Sequence, residues 1–222
     1  MIYSTSTVEP HGGEPIEEAG EPFDKAPVMI MVHGRGAGPE SILELVPRLA
    51  RPGWTYLAPS ASRGSWYPFS FMAPPAQNEP GLSSGLDVLA SLVTSAMKRG
   101  IPPWRILFLG FSQGGCLTAE FLARNPRRYG GALIFSGGLI GSPGPLRNYP
   151  GSFKGTPLFL GCSDDDQHVP RSRVEESAAA FTKMSAQTEC KLYPGMGHVI
   201  CDDEIAAAQR MMELVEGPPP QS

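Results

Sequence analysis

The sequence is poor in charge of either sign. Only 18% of its 222 residues are Asp, Glu, Lys or Arg, and the net charge is −4. Lys and Arg never run beyond pairs such as Lys98-Arg99 and Arg127-Arg128. Nucleic-acid binders show a basic stripe or face, so no nucleic-acid partner is expected. No apolar run approaches the roughly 18 residues of a membrane span, so none is expected. The opening Met1-Ile2-Tyr3-Ser4 has neither the basic nor the apolar region of a secretory signal. Cysteine is scarce: positions 116, 162, 190 and 201, with no Cys-x-x-Cys pair. That spacing does not suit a structural zinc site, and a chain of this size needs no disulfide. Phosphate-loop, zinc-protease and calcium-loop patterns are missing. The expectation is a reduced, cytoplasmic protein without metal or cofactor.

What is abundant is glycine and proline, 26 and 24 residues, close to twice average usage. They lie scattered between apolar runs, and 41% of the chain is hydrophobic. Disorder pools such residues and lacks a core, so the reading is a compact domain with many tight turns over residues 1–216. Residues 1–26 are polar and could add an edge strand. The tail 217–222, Gly-Pro-Pro-Pro-Gln-Ser, cannot continue a helix and is expected to be disordered.

Short apolar runs alternate with longer amphipathic stretches. Val28–Val32, Trp54–Ala58, Ile106–Leu109, Ala132–Phe135, Pro157–Leu160 and Glu189–Tyr193 read as strands. Ser41–Leu49, Ser83–Arg99, Gln113–Arg124, Arg171–Met184 and Asp202–Leu214 have helical spacing. This alternation is that of βαβ units: an α/β fold, with a mostly parallel sheet covered by helices on both faces. Two long loops interrupt it, Ser60–Gly81 and Gly137–Thr156. Loops of that length in a compact domain are usually functional, and both are expected to wall a site. The first carries Trp66, Tyr67, Phe69 and Phe71, expected to line a substrate pocket.

The strongest local signal is Gly110-Phe111-Ser112-Gln113-Gly114. It follows a strand and opens a helix, the setting of a serine nucleophile on a strained turn. A helix N-terminus also favours developing negative charge. A general base is expected in the loop after the last strand, and His198 stands there in Gly195-Met196-Gly197-His198. His11 and His33 come too early in the chain for that role, and His168 lies in an acidic loop as a solvated or pocket residue. An orienting acid belongs between nucleophile and base, where Asp164, Asp165 and Asp166 are consecutive and spacing alone does not separate them. An oxyanion needs two backbone N–H donors. Those of Gln113 and Arg35 are the candidates, the latter in His33-Gly34-Arg35-Gly36, with its guanidinium at the site mouth. Gly34-Arg35-Gly36-Ala37-Gly38 also invites comparison with a dinucleotide turn. Pro39 breaks that motif, and the acidic residue expected about 20 positions on is missing.

Assembled, these motifs resemble the carboxylesterase/phospholipase family of α/β-hydrolases, from about Pro27 to Val215. The segment Asp166-x-x-Val169-Pro170 is similar to that family's acid loop, and the resemblance selects Asp166. It implies an α/β-hydrolase without a large cap, acting on a small-molecule ester as a monomer or homodimer. Ser112, Asp166 and His198 would be catalytic, with an oxyanion hole from Arg35 and Gln113. The implied activity is a serine carboxylesterase of short-chain esters. A thioesterase or lysophospholipase on the same residues, or a non-catalytic binding scaffold, are the alternatives. Gln167, where the family usually has proline, and Arg35 depart from the family pattern.

Overall fold

The structure, a computed structural model, describes residues 2–3, 6–144 and 148–217. The expected tail therefore lies outside the described residues beyond Gly217. Among the described residues eight strands form one sheet: β1 (Ile2–Tyr3), β2 (Pro15–Gly20), β3 (Val28–Val32), β4 (Thr55–Pro59), β5 (Ile106–Phe111), β6 (Gly131–Phe135), β7 (Pro157–Ser163) and β8 (Gln187–Tyr193). Their spatial order is β1-β2-β4-β3-β5-β6-β7-β8. From β4 to β8 every pair is parallel. β1 and β2 add an antiparallel edge, β2 pairing with β4 from Ile16↔Pro59 to Gly20↔Thr55.

Among the described residues six α-helices cover the sheet: α1 (Pro39–Leu43), α2 (Val46–Leu49), α3 (Gly81–Lys98), α4 (Gln113–Arg124), α5 (Arg171–Lys183) and α6 (Asp202–Glu216). Because strand side chains alternate, β3 sends Val28, Ile30 and Val32 into one core and Met29 and Met31 into the other. The first core is closed by α3, α4 and α5. The second is closed by α1, α2 and α6. β3, β4 and β6 are buried throughout, as is β5 up to Gly110, which is why they read as unbroken apolar runs.

The single helix expected over 41–49 is two short ones. Pro47 opens α2 and cannot extend α1. Its ring lacks an N–H and collides with the carbonyl four residues back, at Leu43, where α1 ends.

The order in which strands are added to the sheet reverses at β3. Its crossover to β4 runs one way, and the next strand, β5, lies on its other side. The loops leaving the carboxyl ends of β3 and β5 therefore diverge and leave a crevice, the usual ligand position in open α/β sheets.

Candidate active site

Ser112 stands in that crevice, between β5 and α4, with φ 57° and ψ −121°. Such a conformation costs on the order of 1–3 kcal/mol in a non-glycine residue. Two glycines make the turn possible. A Cβ on Gly110 would lie 2.5 Å from the Gly114 carbonyl oxygen, and one on Gly114 would lie 2.1 Å from that of Val32. The Ser112 amide is held by the Phe135 carbonyl at 3.0 Å. The side chain is thereby lifted off the sheet at a helix N-terminus.

His198 follows β8. Its Nε2 lies 2.8 Å from Ser112 Oγ, and its Nδ1 lies 2.7 Å from Asp166 Oδ2. Of the three consecutive aspartates, Asp166 is the one that meets His198. Its side chain is fully buried. Oδ1 accepts the His168 and Val169 amides at 2.8 and 3.0 Å. Burial opposes its charge, but the bonds from His198 and these two amides outweigh that and hold the carboxyl below its usual range. The buried Cys162 thiol also donates to Oδ2, at 3.7 Å. Asp164 Oδ1 accepts the Gly195 amide at 3.0 Å, and Ser163 Oγ accepts that of Gly197 at 3.0 Å while donating to Asp165. Asp164 and Asp165 therefore brace the loop that carries His198.

The His198 ring is flanked by two others. Phe111 packs against it at 4.9 Å between centroids, and His168 meets it edge-on at 4.7 Å. Beside Ser112 opens a cleft of about 460 Å³, lined by Arg35, Gln113, His168 and Val169, by Tyr67, Phe69 and Phe71 of the aromatic loop, and by Cys116. Sequence reasoning missed Cys116 and Phe111. Cys116 lies four positions after Ser112, so helical spacing alone puts it on the same face.

Trp66 is a correction. It was expected in the pocket, but its side chain is fully buried and is not among those lining this cleft. Its indole N–H donates to the His33 carbonyl at 3.0 Å, and its ring packs between His11 and His33. Each of these histidines has one ring nitrogen donating to a carbonyl and the other accepting an amide. That pattern fits neutral imidazoles, and burial lowers the pKa of both. Trp66 is thus the strut behind the pocket wall.

Gln113 locks that wall to the nucleophile turn. Its Oε1 accepts the Trp66 amide at 2.9 Å, and its Nε2 donates to the Tyr67 carbonyl at 2.8 Å. Arg35 does the same from outside. Its guanidinium donates to Ser65 Oγ and to the carbonyls of Pro68 and Phe69 at 2.7–3.0 Å, so three of its N–H groups serve the loop. The second long loop is also corrected: no described residue of 137–156 lines this cleft. The buried Arg173 draws the carbonyls of Leu139, Gly141 and Ser142 toward α5 at 3.0 Å each. The loop instead backs the aromatic one, through Gly141 N–H to the Phe71 carbonyl at 2.9 Å.

Among the described residues no helix is long and apolar enough to cross a membrane, and no cluster of His, Cys, Asp and Glu could hold a metal ion.

A mostly parallel sheet with a strained serine between strand and helix, and a histidine after the last strand, defines an α/β-hydrolase. The phospholipase/carboxylesterase family model matches residues 12–216. The chain belongs to that family, which is one of hydrolases. A phospholipase/carboxylesterase from Dyadobacter fermentans is 40% identical in sequence. Its structure superposes with a TM-score of 0.87 over 93% of this chain and all of the other. A probable carboxylesterase of Oryza sativa subsp. japonica is 31% identical over 147 residues, 64% of this chain and 54% of its own. Acyl-protein thioesterase 1 of Saccharomyces cerevisiae is 31% identical over 129 residues, 56% of each chain. The chain thus spans about half the length of these two curated relatives.

Proposed function

We propose that the protein hydrolyses short-chain carboxylic esters through an acyl-enzyme on Ser112. The observation that carries this reading is the continuous path from Ser112 Oγ to His198 Nε2, at 2.8 Å, and from Nδ1 to Asp166, at 2.7 Å. Ser112 attacks the ester carbonyl while His198 takes its proton. Asp166 fixes the imidazole with its proton on Nδ1 and stabilises the imidazolium. The amides of Arg35 and Gln113 receive the oxyanion; the first amides of a helix have no partner within it. His198 then protonates the leaving alcohol, and water repeats the cycle on the acyl-enzyme.

The short acyl preference is supported by the cleft beside Ser112, whose lining includes the buried Cys116 and Tyr67. The thioesterase names among the relatives keep thioesters as a second substrate class on the same site. Two measurements test the reading. Ser112→Ala should lower kcat on p-nitrophenyl acetate on the order of 10⁶-fold, with an unchanged melt. A fluorophosphonate should label Ser112 stoichiometrically. Retained turnover in the variant refutes the reading. A chain-length series of esters with matched thioesters then ranks the two classes.

A further inference from the structure

The cleft beside Ser112 departs from the charge balance of the chain. Acidic residues outnumber basic ones, 22 to 18, yet no Asp or Glu is among the described residues that line it. The lining holds one permanent charge, the Arg35 guanidinium, and two imidazoles, those of His168 and His198. His198 is committed to Ser112 and Asp166. Arg35 and His168 have no side-chain part in that relay.

The Arg35 charge is held in place without being neutralised. Three of its N–H groups go to neutral acceptors, the Ser65 hydroxyl and the carbonyls of Pro68 and Phe69. Its guanidinium carbon stands 5.9 Å from the centre of the Tyr67 ring. A guanidinium has five N–H groups, so Nε–H and one on Nη2 remain for a ligand. Among the described residues Arg35 forms no ion pair. Glu40, the nearest acid in sequence, turns its carboxylate into the space that a Cβ on Gly38 would need. His168 lines the same cleft from the loop of Asp166. Its backbone amide serves Asp166, and its ring meets His198 edge-on. Among the described residues the His168 ring nitrogens meet no hydrogen-bond partner. An imidazole carries at least one ring N–H in either charge state.

A cleft lined by one sign of charge focuses the field and draws the opposite sign. A guanidinium already fixed loses little freedom on pairing, and its bonds to a carboxylate are charge-assisted. A negative group on the substrate repels the oxyanion formed at the ester carbon, and a paired cation offsets that repulsion. From this lining, and resting on the reading of Ser112 as nucleophile, we propose that the preferred substrates are esters bearing a carboxylate. The carboxylate enters the cleft and pairs with Arg35, with His168 as a second donor. It is a spectator: the bond broken is still that of the ester, and one of the two products carries the extra charge. The placement holds whichever half of the ester, acyl or alcohol, enters the cleft.

Two matched pairs of esters test it, each setting a carboxylate against a neutral amide. Monomethyl adipate against methyl adipamate puts the charge on the acyl side. 4-Acetoxybenzoate against 4-acetoxybenzamide puts it on the alcohol side. In at least one pair, kcat/KM for the anion should exceed that for the amide about tenfold, the scale of one charge-assisted contact. Arg35 is exposed, so raising the ionic strength from about 0.02 to 0.5 M should shrink that ratio toward one. Arg35→Gln should shrink it likewise, and Arg35→Lys should keep most of it. Arg35 also ties down the aromatic loop, but a loosened loop lowers both members of a pair alike, so the ratio separates the two roles. A ratio near one in both pairs overturns the proposal. So does a ratio that survives Arg35→Gln, or one that salt leaves unchanged in the unaltered protein, a measurement that needs no variant to fold. Labelling of Ser112 by a fluorophosphonate without turnover of any of the four esters overturns the proposal alone. No labelling and no turnover bring down the hydrolase reading itself.

Discussion

Replacing Asp166 by Asn changes one atom and should disable the site. The structure shows how. Oδ1 of Asp166 already accepts two backbone amides, from His168 and Val169. An Asn carbonyl can keep both, which forces its NH₂ into the position of Oδ2, 2.7 Å from His198 Nδ1. Two N–H groups cannot face each other at that distance. His198 must move its proton to Nε2, and Nε2 then no longer accepts the Ser112 hydroxyl at 2.8 Å. The imidazolium also loses its counter-charge. A wrong tautomer of this kind costs about 10⁴ in kcat, or about 5 kcal/mol at the barrier. Asp164→Asn is the matched control. It retains an acceptor for the Gly195 amide, and exchanging a charged for a neutral acceptor there costs about 1 kcal/mol. Its kcat should stay within about tenfold. The assay is steady-state hydrolysis of p-nitrophenyl acetate near pH 8, with thermal melts to show that both variants fold. Asp166→Asn within tenfold of the unaltered protein, or Asp164→Asn falling as far, would refute the assignment.

Two further outcomes follow from buried polar groups away from the reacting atoms. Glu204 is fully buried, with Oε2 on the Cys201 amide and Oε1 without a hydrogen-bond partner. Burial pushes its carboxyl up to about 7 from 4.5. The native state therefore holds a proton that the unfolded chain releases, and stability from this group falls as pH rises from about 4.5 to 7. Glu204→Gln mimics the protonated form. It should raise Tm at pH 8 by roughly 5–10 °C, with the gap closing toward pH 5; an equal gap at both pH values would count against the assignment. Gln113→Leu strands the Trp66 amide and the Tyr67 carbonyl, each worth about 1–3 kcal/mol when buried and unpaired. Tm should drop and KM should rise more than kcat falls, because the Gln113 backbone amide survives; a fall in kcat at constant KM would contradict a purely wall-fixing side chain.

The nucleophile turn was legible in the sequence because its constraint is local. Gly110 and Gly114 are required by backbone atoms a few residues or one strand away, so the requirement appears as a pentapeptide. The parallel strands were legible for a related reason: burial on both faces leaves nothing but apolar residues to read. Three features were not. The break at Pro47 sits inside helical spacing of Leu45, Val46 and Leu49, which looks continuous. Trp66 and Tyr67 are adjacent aromatics that face different surroundings, one into the core and one into the cleft. Only the placement of His11 and His33 decides which is which. The three aspartates are identical in composition, and the backbone amides of His168 and Val169 that grip Asp166 carry no side-chain signature. The family resemblance selected Asp166 where spacing could not.

The strut behind the pocket wall bears on timing during folding. Trp66 is tied to His11, 55 residues away, to His33, 33 residues away, and to Gln113, 47 residues away. Each such contact carries a loop-closure cost that must be met before it returns any stability. The wall is therefore expected to close late, since it draws together the amino-terminal segment, β3 and α4 at once. A partly folded chain would present neither the finished cleft nor the braced oxyanion side of Ser112. The site would switch on as a unit at the last stage of assembly, so recovery of esterase activity during refolding should lag recovery of helical signal.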